Sequence, residues 1–565
     1  MLARLFRRQV SLTPLYLQRC NRVFGHSAVH SFRRPRISVV GGGALTASLI
    51  VGLGYTLNAD VPPPSKERTP TPLPQLISSY VVYSICSIPG LVDASPALLA
   101  FCTSIPGLRQ LTEAFVRVTF FTQFVGGDTA HACLPLIRRL RADNKGALLA
   151  YSVEVDETET TGGTRSTSEP VHQHIVQELL RSIDVAADFE ESQARETPGS
   201  GRRTWVAIKL SALLPNPAAL FHLSAYLSSL HTHNATLYPG CPCVDDLAVL
   251  KLNGPPPGSP LTAQDLVDLR ELNESLIRLC TRARARDVRV IVDAEYSWYQ
   301  PAVDSISFSL MREFNRESSS PMRWLPWPFS RSVRPRPPPL IYVTCQAYLR
   351  RTPEYLVQCL RDAASNQYAL GIKLVRGAYH EQEVKADSRS LSFTTGASWP
   401  PVFTNKVDTD ECYDAAAAEL IRAVANVDDH GPRVGVLFGS HNAESCAKVL
   451  DALVDVGLAT REDGAVKLDD QAAERVNLAQ LYGMSDSLTD RLATLVKTPA
   501  PFVIKYVPYG ALPEVMPYLS RRAIENKSVL GDGHATKERQ QAFDALWQRL
   551  FGSSDKAHAT RHGHA

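Results

Sequence analysis

LGIKLVRGAY, residues 370–379, is a short apolar run that ends in an arginine and a glycine. Seven other short apolar runs, most of them followed by a helical pattern, occupy residues 146–155, 204–213, 288–296, 340–349, 433–442, 475–483 and 501–510. Runs of this kind are typical of strands that are buried on both faces. Eight such strands alternating with helices predict an α/β protein of the (β/α)8 TIM-like barrel type. A doubly wound open sheet is the alternative, but no glycine-rich phosphate turn follows the first strand.

The bulk composition is that of a soluble globular protein. Of 565 residues, 44% are hydrophobic and 21% charged, and the net charge of +3 gives no indication of a nucleic-acid partner. The eleven cysteines lie mostly within apolar runs, which indicates buried thiols in a reducing compartment. Cys241 and Cys243 are the one close pair, and because no Cys or His cluster is near them in the sequence, no metal site is predicted.

The N-terminus differs from the rest of the chain. Residues 1–59 contain eight Arg, no Lys and no acidic residue, a composition typical of a mitochondrial transit peptide. The uncharged segment Ile37–Tyr55 could just span a bilayer, so a membrane anchor and a removed sorting segment are both open. We predict a transit peptide over 1–58, a proline-rich linker over 59–75, a helical region over 76–145, the barrel over 146–550 and a disordered tail over 551–565.

Two segments rich in Pro, Gly or Arg interrupt the barrel pattern. Residues 237–262 and 317–339 are predicted to be surface loops. The second also contains Trp and Phe beside its arginines, a mixture that could touch a membrane surface. What either insertion contacts is left open by the sequence.

Polar residues gather where the predicted strands end, which is where barrel active sites form. They are Lys209, Asp293, Glu295, Gln346, Arg376, Ser440, His441, Asn442, Gln480, Tyr482, Lys505 and Tyr506. The helical segment YLSRRAIENKSVL, residues 518–530, adds Tyr518, Arg521, Arg522 and Glu525 at the spacing of one helix face. Arginine forks bind carboxylate or phosphate oxygens, so these residues predict a barrel enzyme acting on an acidic small molecule.

Several of these strings together resemble the proline dehydrogenase family. They are AIKLSAL, VDAE, KLVRGAY, GSHN, LYGM and KYVPYG…YLSRRAIEN, and the resemblance covers residues 148–530. It implies a distorted (β/α)8 barrel with non-covalent FAD at the C-terminal ends of the strands and a last helix over the barrel mouth. The implied reaction moves a hydride from C5 of L-proline to flavin N5 and gives Δ1-pyrroline-5-carboxylate. The electrons would pass to ubiquinone of the respiratory chain at the matrix side of the mitochondrial inner membrane.

The resemblance also implies roles for individual residues. Arg521 and Arg522 would bind the substrate carboxylate, and Lys209 would pair with it or with Asp293. Tyr379, Tyr506 and Tyr518 would enclose the proline ring. The FAD shell would comprise Gln346, Arg376, His441, Asn442, Gln480, Tyr482 and Glu525. Neither a metal nor a nucleophile is required, and no aldehyde dehydrogenase module is expected after the barrel, so the product would be released.

Three alternatives are considered. A related enzyme that oxidises 4-hydroxyproline has a smaller residue where this chain has Tyr506, so the tyrosine favours proline. A Schiff-base aldolase or lyase would use Lys209 as its nucleophile and would bind no flavin. A non-catalytic membrane scaffold would leave the charged strand ends unexplained.

Overall fold

A computed structural model describes residues 72–152, 170–197, 201–231, 240–316, 338–386, 400–426, 433–528 and 534–551. These residues all belong to one structural unit, 68–565. The predicted transit peptide, segment 37–55, most of the linker and almost all of insertion 317–339 lie outside the described residues. Residues 237–239 and nearly the whole predicted C-terminal tail also lie outside them.

The strands form one closed parallel barrel and one small separate sheet. In chain order they are β1 Lys145–Tyr151, β2 Thr204–Ile208, β3 Val290–Val292, β4 Ile341–Gln346, β5 Leu370–Val375, β6 Val434–Gly439, β7 Ala459–Glu462, β8 Ala465–Leu468, β9 Val476–Leu481, β10 Val496–Lys497 and β11 Val503–Tyr509. The barrel order is β1-β2-β3-β4-β5-β6-β9-β11, and β1 pairs with β11 from Lys145↔Val503 to Tyr151↔Tyr509. This pairing closes the sheet, so the (β/α)8 prediction is confirmed and the open sheet is excluded.

Helices precede the barrel and lie between its strands. They are α1 Leu73–Cys86, α2 Pro89–Ser104, α3 Pro106–Val116, α4 Thr122–Phe124, α5 Leu134–Ala142, α6 Val171–Glu196, α7 Ala218–Leu230, α8 Ala263–Arg286, α9 Gln300–Phe314, α10 Thr352–Asn366, α11 His380–Lys385, α12 Lys406–Ala425, α13 Ala443–Asp455, α14 Asp470–Arg475, α15 Asp486–Leu495, α16 Leu512–Ser528 and α17 His534–Phe551. A π-helical turn, Arg117–Phe121, follows α3.

Side-chain alternation along each strand separates two cores. The barrel interior is filled by one buried cluster, which contains Leu148, Trp205, Ile291, Tyr342, Leu437 and Ile504. Alternate residues such as Leu149, Val292 and Leu478 belong to a larger cluster with residues of the surrounding helices. A polar residue at a strand end therefore faces the barrel mouth only when it lies an even number of residues after an interior residue of the same strand.

Helix α16 lies between the barrel mouth and the N-terminal helices. Its Val515, Tyr518 and Leu519 are buried in a cluster with Val82 of α1 and Val92 of α2. The turn after β9 also joins these helices. The backbone of Gly483 has φ +75°, and a Cβ there would lie 1.9 Å from the carbonyl oxygen of Gln123. Only glycine allows this approach, and the Gly483 carbonyl accepts hydrogen bonds of 2.7 Å from Tyr83 Oη and Gln123 Nε2.

Candidate active site

Asp293 is the centre of the buried polar contacts at the barrel mouth. Its carboxylate accepts a hydrogen bond of 2.5 Å from Lys373 Nζ and one of 2.8 Å from Tyr506 Oη. The Lys373 ammonium also lies 5.1 Å from the centroid of the Tyr506 ring. Burial, and then the neighbouring carboxylate, raise the pKa of Tyr506 well above its ordinary value. Tyr506 therefore stays protonated and its hydroxyl donates a hydrogen bond to Asp293, which fixes the tyrosine ring.

Lys373 was not among the candidates from the sequence. It lies beside Thr344 in the β4–β5 register, on the interior side of the barrel. Lys209, the expected partner of Asp293, follows β2 directly, and its charge offsets only part of the burial that raises the pKa of Glu295. The sequence signal for Lys373 was a lysine inside an otherwise apolar strand, because an unpaired lysine is seldom buried there.

Glu295 is a second buried acid at the mouth. It accepts hydrogen bonds from Ser211 Oγ and, at 3.0 Å, from the Ser211 backbone nitrogen. Burial raises its pKa in spite of these contacts. Gln346 Nε2 donates to the Glu295 carbonyl oxygen at 3.0 Å, so the amide of Gln346 holds the segment after β3 in place.

An aromatic wall borders the site. The Tyr379 ring lies 4.5 Å from that of Tyr296, which stacks on Trp298 at 4.4 Å and 7°. Between them, Ser297 donates to the buried carboxylate of Glu383 from its backbone nitrogen at 2.7 Å and from its hydroxyl at 2.6 Å. Tyr296, Trp298 and Glu383 were not among the residues predicted from the sequence. The signal that could have identified the two aromatic residues is the string AEYSWYQ, residues 294–300, in which aromatic residues directly follow the polar end of a strand.

Gly377 sets the path of the chain from β5 to Tyr379. Its φ is +136°, and a Cβ there would lie 2.5 Å from the ring of Tyr348. A side chain would displace this aromatic ring and strain the backbone. The glycine of VRGAY therefore has a local physical role, which is to bring the backbone under Tyr348 and to turn Tyr379 toward the mouth.

Helix α16 brings its cations to the same tyrosines. The Arg521 guanidinium lies 5.1 Å from the Tyr379 ring centroid, and that of Arg522 lies 4.9 Å from the Tyr518 ring centroid. Tyr379 and Tyr518 both contribute to the raised pKa of Tyr506, so the three phenols surround one space. The helix face anticipated from the i, i+3, i+4, i+7 spacing thus points into the mouth.

Arg522 is the more buried arginine, with 4% of its side chain exposed. One terminal nitrogen donates to Glu525 Oε1 at 2.6 Å, so the described contact of Glu525 is with this arginine. The Nε atom of Arg522 is buried and has no hydrogen-bond acceptor among the described residues. A buried N–H group of this kind favours an acceptor supplied by a ligand.

Arg376 and its neighbours lie at the rim between β5 and β6. The guanidinium donates to Asp410 Oδ1 at 2.6 Å, to Ser440 Oγ at 3.0 Å and to Ser445 Oγ at 2.9 Å. Asn442 caps α13, because its side-chain oxygen accepts from the nitrogens of Glu444 and Ser445 at 2.9 and 3.1 Å. His441 Nε2 accepts from the Leu481 nitrogen at 3.2 Å.

Gln480, Tyr482 and Lys505 lie on the other side of their strands. The interior residues of β9 and β11 include Ala479 and Ile504, and the intervening residues face the helices. Gln480 donates to the Ser440 carbonyl oxygen at 3.1 Å and accepts from Thr489 of α15. Lys505 Nζ donates to the Met484 carbonyl oxygen at 2.9 Å. The side chains of Gln480 and Tyr482, expected in the FAD shell, are thus placed in the outer core.

The fold and the site define a class of protein. A closed (β/α)8 barrel carries buried cations, a carboxylate and tyrosines at one mouth, which is the arrangement of an enzyme for a small anionic molecule. Residues 139–534 match the sequence profile of the family Proline dehydrogenase, which is more than half of the chain. The chain therefore belongs to the proline dehydrogenase family and is an oxidoreductase.

Individual relatives agree with this membership. The chain is 29% identical over 481 residues to hydroxyproline dehydrogenase of Rattus norvegicus, covering 85% of this chain and 92% of the relative. It is 26% identical over 548 residues to mitochondrial proline dehydrogenase 1 of Arabidopsis thaliana, covering 92% and 97%. It is 27% identical over 503 residues to the probable mitochondrial proline dehydrogenase of Schizosaccharomyces pombe, covering 84% and 88%.

A solved structure shares the fold. Proline utilization A from Bdellovibrio bacteriovorus, inactivated by N-propargylglycine, matches 84% of this chain with a TM-score of 0.50 and 17% identity. The chain spans 40% of the length of that protein.

Proposed function

We propose that this chain oxidises L-proline to Δ1-pyrroline-5-carboxylate in the mitochondrion, the first step of proline catabolism to glutamate, with non-covalent FAD as the oxidant. The observation that carries the proposal is that Arg521 lies over Tyr379 and Arg522 over Tyr518, two tyrosines whose electrostatic effect reaches Tyr506, the hydrogen-bond donor to Asp293. Family membership and the mitochondrial proline dehydrogenases among the relatives support it.

The two arginines suit the carboxylate of the substrate. A carboxylate accepts charge-assisted hydrogen bonds from guanidinium groups, and the buried Nε atom of Arg522 needs such an acceptor. Tyr379 and Tyr518 lie against these guanidinium groups and provide apolar ring faces for the pyrrolidine ring. Carboxylate binding at α16 would direct the ring of proline toward Tyr506 and the interior of the barrel.

Lys373 and Asp293 position Tyr506 rather than the substrate carboxylate. The ammonium of Lys373 compensates the buried negative charge of Asp293, and the carboxylate holds the phenol of Tyr506 at 2.8 Å. This contact fixes one wall of the substrate space. A fixed wall holds the reacting carbon in one orientation, which is the contribution that a protein makes to cofactor-dependent oxidation.

The donor set at the rim fits a flavin dinucleotide. Arg376 has 23% of its side chain exposed and lies at the first turn of α13, where a cation and a helix N-terminus both favour a diphosphate. Gln346, His441, Asn442 and Glu525 stay candidates for the FAD shell, whereas Gln480 and Tyr482 would contribute through their backbone. FAD would supply the two-electron acceptor, and the chain would orient proline and exclude water.

We further propose ubiquinone as the electron acceptor and a peripheral contact with the inner membrane on its matrix side. Among the described residues, no helix has the length and apolarity to cross a bilayer. Leu98 and Phe101 on α2 are 48% and 60% exposed, and Leu111 and Phe115 on α3 are 67% and 47% exposed. Exposed apolar residues concentrated on neighbouring helices favour an apolar surface as their partner.

Hydroxyproline is the second candidate substrate, because relatives of this chain from rat, mouse, human and Xenopus laevis are hydroxyproline dehydrogenases. The bulk of Tyr506, fixed by Asp293, favours proline. Tyr506→Ser should therefore raise the ratio of kcat/KM for hydroxyproline over proline by about tenfold or more, the effect of about 1.4 kcal/mol. Tyr506→Phe removes only the hydroxyl and should leave that ratio within about threefold. Equal ratios in wild type and Tyr506→Ser would show that this tyrosine does not select the substrate.

The visible spectrum of the purified protein tests the main proposal. We expect flavin absorption that bleaches when L-proline is added under anaerobic conditions. Borohydride added with L-proline should leave Lys209 unmodified in the peptide map. A colourless protein that takes up no FAD would overturn the proposal, and a borohydride-trapped adduct on Lys209 would favour a Schiff-base lyase.

A further inference from the structure

Three different metal-ligating side chains come together where the described part of the 237–262 insertion meets the end of α7, and none of them belongs to the residues of the mouth. His231 Nε2 lies 2.7 Å from Asp246 Oδ1. With the thiol of Cys243, these ligand atoms all lie within 4.8 Å of one another. Asp246 is buried, His231 is 21% exposed and Cys243 is exposed. His231 lies ten residues before Cys241 in the sequence, and the fold brings its imidazole next to Cys243 and Asp246.

The turn that carries Cys243 is fixed from several directions. Arg312 of α9 donates to the carbonyl oxygens of Pro242, at 2.5 Å, and Cys243, at 3.3 Å. The same guanidinium pairs with Asp362 of α10 at 2.9 Å. The Cys241 nitrogen donates to Gln358 Oε1 of α10 at 2.8 Å. Two barrel helices therefore hold the backbone of the CPC turn in one position.

Asp246 is oriented independently of the histidine. Its Oδ2 atom accepts from the Cys243 nitrogen at 3.0 Å and from Ser305 Oγ of α9 at 3.1 Å. These contacts leave Oδ1 directed at His231. A ligand carboxylate that is itself held by hydrogen bonds is a regular feature of metal sites, because the outer contacts fix the direction of the lone pairs.

The chemistry of the three donors selects the ion. A thiolate sulphur, an imidazole nitrogen and one carboxylate oxygen suit Zn²⁺, whereas Ca²⁺ and Mg²⁺ require oxygen ligands. Ligand atoms around a tetrahedral Zn²⁺ are about 3.3–3.8 Å apart, given bond lengths of about 2.0–2.3 Å. The three ligand atoms lie within 4.8 Å of one another, and His231 Nε2 is 2.7 Å from Asp246 Oδ1. Side-chain rotations bring all of these distances into the range for Zn²⁺. The exposed side of Cys243 leaves room for a water as fourth ligand.

We propose that His231, Cys243 and Asp246 form a Zn²⁺ site that fastens the 240–262 insertion to α7 and α9. The site is separate from the oxidation chemistry and does not depend on the proposed substrate. A plain His–Asp ion pair is the competing explanation for two of the three residues. The chain contains such a pair elsewhere, because His222 Nδ1 lies 2.9 Å from Asp265 Oδ2. Within the described residues, no third metal-ligating side chain lies close to this second pair. His222 therefore provides a matched control for His231.

The test uses the purified full-length protein, treated with a chelator and titrated with Zn²⁺ against a chromophoric competitor. We expect the wild type to bind Zn²⁺ tightly. Cys243→Ser and His231→Gln should each lower the affinity for Zn²⁺ by more than about 10–100-fold, because that is already the loss when only a residue that supports a ligand is removed. His222→Gln and Cys102→Ser should bind as the wild type does. Flavin content and circular dichroism of each variant report whether it is folded.

Substitution with Co²⁺ provides a second measurement on the unmodified chain. A thiolate ligand gives Co²⁺ an intense near-ultraviolet charge-transfer band, which should appear in the wild type and disappear in Cys243→Ser. This band separates the site from His558, His562 and His564 near the C-terminus, which would offer a metal only nitrogen ligands. Absence of the band in wild type, or Zn²⁺ binding unchanged in Cys243→Ser, would overturn the proposal.

Discussion

At the scale of the residue, the site depends on charges that are buried in pairs or against aromatic rings. Lys373 and Asp293 compensate each other at 2.5 Å, and Arg521 and Arg522 each lie over a tyrosine. Removing one member of a buried pair leaves the other charge without compensation, which costs more than the pair contributes. We therefore expect substitutions of the arginines to change substrate binding and a substitution of Lys373 to change the stability of the fold.

Arg521→Met and Arg522→Met should each raise KM for proline by roughly ten- to hundredfold, since a hydrogen bond to a charged group is worth about 1.5–3 kcal/mol. Flavin content should stay at the wild-type level, because Arg376 at the other rim is untouched. Steady-state kinetics and the ratio of flavin to protein absorbance measure the two effects. Arg422→Met, which removes a 58% exposed arginine on α12, is the control. A KM that does not change in either variant would exclude the carboxylate role.

Lys373→Met should destabilise the protein by about 3–5 kcal/mol, because it leaves the Asp293 carboxylate buried and unpaired. The double variant Lys373→Met with Asp293→Asn should recover part of this loss, since the uncompensated charge is gone. Urea unfolding of the single and double variants gives the free energies of unfolding. If the single variant is as stable as wild type, the pair does not support the barrel interior.

At the scale of the element, α16 covers the barrel mouth and α17 packs on the N-terminal helices. Helix α16 brings Arg521 to Tyr379 and packs on α1 and α2 through Val515, Tyr518 and Leu519. Helix α17 lies on α1, where the rings of Phe543 and Tyr80 are 5.9 Å apart. The half-buried Glu538 of α17 makes this second contact sensitive to pH. Burial, and then the repulsion of Asp486, raise the pKa of Glu538 to about 7.

The sign of this pH dependence follows from proton binding. A glutamate in an unfolded chain has a pKa of about 4.3, so between that value and about 7 the folded state holds the proton more tightly. The stabilising contribution is complete below about pH 4.3 and is lost as the pH rises through 7. Thermal unfolding should therefore show the wild type losing more stability than Glu538→Gln between about pH 5 and about pH 8. Glu419→Gln, at an exposed glutamate, should behave as wild type; parallel curves for wild type and Glu538→Gln would contradict the assignment.

At the scale of the whole molecule, the N-terminal helices present apolar side chains to the outside. Leu111, Phe115 and Val118 recur at the spacing of one helix face, and all are exposed. Leu98 and Phe101 provide a similar face on α2. A barrel that reduces a membrane quinone needs a surface of this kind, because its acceptor is dissolved in lipid.

The proposed membrane contact predicts that wild-type protein floats with vesicles of phosphatidylcholine and cardiolipin. The triple variant Phe101→Ser, Leu111→Ser and Phe115→Ser should float markedly less and should transfer electrons more slowly to vesicle-bound quinone. Its activity with a water-soluble acceptor should be unchanged. Val267→Ser with Val407→Ser removes exposed valines from barrel helices and serves as the control. Equal flotation of the triple variant and wild type would remove this face from the membrane contact.

The eight barrel strands were predictable because buried parallel strands must be apolar throughout, and this requirement is written locally in the chain. The α16 arginines were predictable for the opposite reason, since charged residues on an inward helix face need a pocket. The predicted strands extended beyond the C-terminal ends of the observed ones. Residues 288–296 were predicted as a strand, for example, whereas β3 is Val290–Val292. The residues beyond it leave the sheet to build the mouth.

Other features were decided only by the tertiary structure. The partner of Asp293 depends on which lysine reaches across the barrel, and that is set by strand register rather than by local sequence. The phase of β9 and β11 turned Gln480, Tyr482 and Lys505 outward, although all three were expected at the barrel mouth. His231 and Cys243 lie twelve residues apart in the sequence, and only the tertiary structure shows that their ligand atoms come within 4.8 Å of each other. The local pattern thus determined the elements and their order, while contacts between distant residues required closure of the barrel to bring them within bonding distance.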